Sequence, residues 1–65
     1  MFDNEQDEKL ADDIISYRAK NNMSQRAFAT KCGVSLQTIY HLESGIQSPS
    51  KLTRKKIRLV IGGED

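Results

Sequence analysis

Tryptophan is absent, cysteine and proline occur once each, as Cys32 and Pro49, and two tyrosines and two phenylalanines are the only aromatics among 65 residues. A single cysteine excludes an intramolecular disulfide. With one histidine, His41, it also leaves too few donors for a tetrahedral metal site. No apolar run approaches a membrane span, and the acidic beginning is unlike the basic start of a secretory signal, so a cytoplasmic protein is expected. A chain this short forms one domain, residues 1–65, with no room for an enzyme-sized cleft, and its core leaves only about 3–5 kcal/mol of margin. No catalytic residues, cofactor or small-molecule substrate are expected. A last scarcity is local: no lysine or arginine lies between Lys31 and Lys51.

What is present fits a packed fold, with 37% hydrophobic and 29% charged residues. The formal charge of +1 hides a division along the chain. Asp3, Glu5, Asp7, Glu8, Asp12 and Asp13 face only Lys9 in residues 1–13, a net −5, whereas residues 14–65 carry nine bases against Glu43, Glu64 and Asp65, a net +6. The division predicts a polyanionic partner for the basic part, a basic partner for the acidic end, or simply a solvated acidic helix.

One short pattern recurs three times. Met23-Ser24 precedes Phe28, Val34-Ser35 precedes Ile39, and Leu52-Thr53 precedes Ile57, each an apolar residue, a hydroxyl and an apolar residue four positions on. At a helix start the hydroxyl accepts from an unpaired backbone N–H while the flanking apolar side chains close a staple. The pattern therefore predicts helix starts at Gln25, Leu36 and Arg54. Gly33 and Gly45 are suited to stop the first two, because a left-handed residue commonly ends a helix. Only Gly33, Val34 and Ser35 separate those helices, which must then cross steeply, as in a helix-turn-helix over residues 24–44.

Ahead of them Leu10, Ala11, Ile14, Ile15 and Tyr17 recur at helical spacing, predicting an acidic first helix over about 5–21. Acids in its first turn and Arg18 and Lys20 in its last suit the macrodipole. The basic segment 53–61 reads two ways: Ile57, Leu59 and Ile61 alternate as in a strand, while Ile57, Val60 and Ile61 suit a helix. The fold class is thus all-α and compact, with four helices, or three helices and a C-terminal strand. Phe28, Cys32, Val34, Ile39 and Leu42 are expected to close a core over Leu10 and Ile14.

From Leu10 to about Ile61, an ordered set runs through Ile14, Arg18, Ser24-Gln25, Phe28-Ala29, Gly33-Val34-Ser35, Ile39, Glu43 and Gly45. This set resembles the small lambda-repressor-like helix-turn-helix domains of phage repressors and Cro-type regulators. The resemblance implies a transcription regulator of a phage or bacterial genetic switch, working in the cytoplasm of a bacterial host. It also implies an ion pair between Arg18 and Glu43 that fixes the angle of the third helix.

Stepping 100° per residue from Ile39 places Ser35, Leu42 and Glu43 inward and Gln37, Tyr40, His41 and Ser44 outward, with Leu36 and Thr38 on the flanks. In the family this surface enters the major groove of double-stranded operator DNA, with Gln25 beside it, so Gln25, Leu36, Gln37, Thr38 and His41 are the implied base-edge readers. Ser24, Arg26, Lys31, Lys51, Arg54, Lys55 and Lys56 are candidate contacts to phosphates or to an acidic partner.

Two features pull against DNA. The third helix has no cation, and Arg54, Lys55 and Lys56 after Thr53 would set positive charge against the positive end of a helix dipole unless an anion lies nearby. A phosphate backbone would supply one, and so would another protein. A partner-binding face of Leu36, Gln37, Tyr40 and His41 suits an antirepressor, or modulator of repression, that covers the opposing phage repressor. The chain offers no obvious dimer segment beyond residues 53–63, so a monomer or weak homodimer is expected.

Overall fold

Helix α1, Glu5–Asn21, begins where the Asn4 side chain accepts the backbone N–H of Asp7 at 2.8 Å, and ends where Asn22 turns left-handed. Helices α2, Gln25–Cys32, and α3, Leu36–Ser44, start on Ser24 and Ser35 and stop on left-handed Gly33 and Gly45, as the recurring pattern predicts. Nothing lies within 4 Å of a Cβ added at Gly33. Its φ of +75° is therefore what favours glycine there. Helix α4 covers Lys51–Gly62, so the segment from 53 to 61 is a helix, not a strand. This computed structural model describes residues 2–62; the acids Glu64 and Asp65 and the end of segment 53–63 lie outside them.

The core is made by all four helices. Leu10 and Ile14 of α1, Phe28, Ala29 and Cys32 of α2, Ile39 and Leu42 of α3, and Ile57 of α4 form one buried cluster, with Tyr17, Met23, Val34, Val60 and Ile61 against it. The side chain of Ala29 is small enough for α3 to cross α2 closely. Two residues depart from a simple helical reading. Ile15 is 44% exposed, because the inward stripe of α1 passes through Asp7, Leu10, Ala11 and Ile14. Ser35 is exposed as well: a cap residue has extended backbone and lies outside the 100° stepping.

The start of α4 is the main correction. Thr53 is not the cap: its own N–H donates to the hydroxyl of Ser50 at 3.1 Å, and the N–H of Arg54 bonds the Ser50 carbonyl. The helix therefore begins three residues early, and Leu52 is 63% exposed with no staple to close. Serine at 50 satisfies an end N–H as threonine at 53 would have done. Ser50→Ala is expected to lower stability by about 1 kcal/mol, and Thr53→Ala by about half of that or less, in paired urea melts.

This shift brings Arg54 over α1, and it resolves the charge division. Asp7, 5% exposed, accepts from Arg54 Nη2 through one carboxylate oxygen and from the Ser48 hydroxyl through the other. Ser48 is also within 2.9 Å of Asp3, and Arg58 Nη1 donates to Asp13 at 2.7 Å. The anion that the basic start of α4 calls for is a carboxylate of the same chain. Among the described residues, no helix is long and apolar enough to cross a membrane, and no three potential metal ligands are grouped.

Candidate nucleic-acid interface

Helix α3 is held from behind and open in front. Ile39 and Leu42 anchor its inner face, while Leu36, Gln37, Tyr40 and Ser44 are exposed and Thr38 and His41 half-buried. Tyr40 is 51% exposed, and its ring lies beside that of His41 with centroids 5.9 Å apart. The Thr38 hydroxyl is 2.8 Å from that of Ser35, so part of its hydrogen-bonding capacity is already used within the cap. This outer face carries no lysine, arginine, aspartate or glutamate along its length.

The far end of α3 is fixed by Arg18. Its Nε donates to Glu43 Oε2 at 2.8 Å and its Nη2 to Oε1 at 2.9 Å, a two-pronged pair that joins the last turns of α1 and α3. Its Nη1 reaches the Met23 carbonyl at 3.2 Å, in the turn before α2. Gln25, the first residue of α2, joins the same cluster by donating from Nε2 to Glu43 Oε1 at 3.0 Å. Three helices therefore meet at one carboxylate, and α3 is set at a fixed angle to the core.

Several cations are already engaged within the molecule. Arg18, Arg54 and Arg58 each pair with an acid inside the molecule. Arg26, Lys31, Lys51 and Lys55 are exposed, and half-buried Lys56 extends to the Gly33 carbonyl at 3.5 Å. Of the residues proposed for phosphate or acidic-partner contact, Arg54 is thus already engaged by Asp7. Asp7, Ser48 and Arg58 were not singled out by motif; the uneven charge along the chain was the only signal that pointed toward them. Cys32 lies in the core, and burial raises its thiol pKa to about 11, which makes it a poor nucleophile.

No curated protein and no solved structure matches the chain. A family profile described as helix-turn-helix matches residues 14–62, which include the end of α1, the crossed pair α2 and α3, and all of α4. That match spans well over half of the sequence and agrees with the four-helix arrangement around an outward-facing α3: the chain belongs to the Cro/C1-type helix-turn-helix family of DNA-binding transcription regulators.

Proposed function

We propose that this protein regulates a phage or bacterial genetic switch by laying the outer face of α3 in the major groove of operator DNA. The observation that carries the reading is the contrast across α3: a fully buried Ile39 and an ion-paired Glu43 behind, and exposed hydrogen-bonding side chains in front. A helix anchored in this way can present side chains to base edges without losing much freedom on binding. Gln37 and Gln25 can pair with adenine, Leu36 and Thr38 can meet a thymine methyl, and His41 can donate or accept. Ser24 and the end N–H groups of α2 can hold a phosphate, with Arg26, Lys31, Lys51, Lys55 and Lys56 as the proposed cationic contacts. In this reading the protein works in the bacterial cytoplasm as a monomer or weak homodimer.

Salt dependence tests it. Five phosphate contacts per bound molecule correspond to a slope of about −4.5 in log affinity against log salt. Anisotropy titrations with the regulatory DNA should give a slope near this value or shallower, and preserve a preference for one sequence over random duplex. Equal affinity for every sequence would remove α3 as a reader.

A second reading is supported by the internal pairing of three of the four arginines and by the neutral α3 face with its adjacent Tyr40 and His41 rings. Such a face suits an antirepressor that binds the opposing phage repressor and covers its DNA-reading helix. This predicts weak DNA binding alone, a stoichiometric complex with the repressor, and altered operator binding by that complex. Absence of both DNA binding and complex formation would sink both readings.

A further inference from the structure

We infer that Glu43 is a positioning residue for DNA reading: it locks the Gln25 side-chain amide in one of its two flips, so that Gln25 selects adenine and disfavours guanine. The inference rests on the operator-binding reading above and adds to it which base is chosen and what enforces the choice.

A glutamine amide carries an acceptor on one side and two donors on the other, and rotation by half a turn exchanges them. Which of these groups stay free, and which way they point, decides which base a glutamine matches. Here the choice is made within the protein. The Glu43 carboxylate, paired through both oxygens with Arg18, can only accept hydrogen bonds. Only the amide nitrogen of Gln25 can therefore face Glu43 Oε1, at 3.0 Å; the opposite flip would set two oxygens against each other. The carboxylate itself has little freedom to turn away, because its side chain is only 9% exposed and Arg18 is tied in turn to the Met23 carbonyl.

With one N–H donated to Glu43, Gln25 keeps its carbonyl oxygen and one further N–H. Adenine offers an amino donor at N6 and an acceptor at N7 in the major groove, which match this pair of groups. Guanine offers O6 and N7, both acceptors, so the Gln25 oxygen has no partner there and is repelled. An unrestrained glutamine can swing its NH2 group so that both N–H groups face guanine O6 and N7; the Glu43 contact takes one of those N–H groups and removes that option. The Arg18–Glu43 pair thus serves twice, setting the angle of α3 and fixing the hydrogen-bond polarity of a residue on α2.

The test is a base-by-base binding profile. Duplexes selected by the wild-type protein from a random-sequence pool give the site, and each base pair is then replaced in turn. At one position the wild type should prefer adenine over guanine by about tenfold. Gln25→Met should abolish that preference at that position alone. Glu43→Gln, which can present either an N–H or a carbonyl to Gln25, should weaken binding overall by loosening the pair with Arg18, and in addition relax discrimination against guanine at that one position more than at any other. A purely structural role for Glu43 would weaken binding to all duplexes by the same factor and leave the adenine preference at that position intact, and that result overturns the inference; so does guanine at the position that Gln25→Met affects. If Glu43→Gln does not fold, guanine or no preference at the position that Gln25→Met affects still overturns the inference. A wild-type protein that binds no duplex overturns both this inference and the operator-binding reading, whereas sequence-selective binding with a uniform response to both variants overturns this inference alone.

Discussion

Phe28→Ala is expected to leave the protein largely unfolded at room temperature. Phe28 is fully buried, lies in the cluster shared by all four helices, and sets its ring 5.6 Å from that of Tyr17 at a 58° tilt. Removing such a side chain costs about 3–5 kcal/mol, from lost transfer energy and from the cavity left behind. The whole domain has about that much to lose. A compensating collapse is unfavourable, because neighbours from α1, α3 and α4 each sit against other core residues and cannot all move into one gap. Urea melts followed by far-ultraviolet circular dichroism should show the variant without a folded baseline, while Phe28→Leu, closer in volume, retains a cooperative transition. A Phe28→Ala midpoint equal to the parent's would show that the core does not depend on this ring.

Asp7→Ala is expected to produce the second largest loss and to change the response to acid. Its carboxylate accepts from Ser48 and from Arg54, and the variant would leave the Arg54 guanidinium in the first turn of α4 with no anion beside it. Breaking a buried pair costs about 3–5 kcal/mol; the Arg54 side chain is 30% exposed, so the lower edge, about 3 kcal/mol, is expected. The Ser48 hydrogen bond holds the Asp7 carboxyl below the ordinary carboxylate range, the Arg54 hydrogen bond and charge add to this, and burial opposes them. The folded protein therefore binds the Asp7 proton less readily than the unfolded chain does. Stability from Asp7 is fully present above the ordinary aspartate value of about 4 and is lost as pH falls through it toward the lowered folded value. Urea midpoints measured from about pH 7 down to about pH 3 should fall more in the parent than in Asp7→Ala. Parallel declines would place the acid sensitivity in other carboxylates.

Much of the fold was legible because capping is local. Ser24 and Ser35 each sit between an apolar residue and a second one four positions on, and each starts a helix. The same rule failed at α4, where Ser50 and Thr53 are both able to cap and the apolar pattern favours the wrong one. The earlier start gives the helix another turn and brings Arg54 to Asp7, a contact between residues 47 positions apart that local spacing does not encode. Helical spacing on α1 groups Ile15 with Leu10, Ala11 and Ile14, but a wide apolar stripe does not say which edge is covered, and Ile15 is left exposed. On the candidate interface, the outward set on α3 followed from helical geometry, but the bond between Gln25 and Glu43 did not, because it joins the start of one helix to the end of another.

The sequence by itself determined the three N-terminal helices, the turn between α2 and α3, most of the core and the neutral character of the α3 face, since capping, glycine stops and the 100° repeat act within a few residues. Tertiary structure alone decided where the charges go. Acids of α1 and arginines of α4 are far apart along the chain and meet only when both helices pack on the same core, where partial burial strengthens their attraction and leaves few competing partners. A charge division that suggested an external partner is, for Asp7, Asp13, Arg54 and Arg58, an internal one.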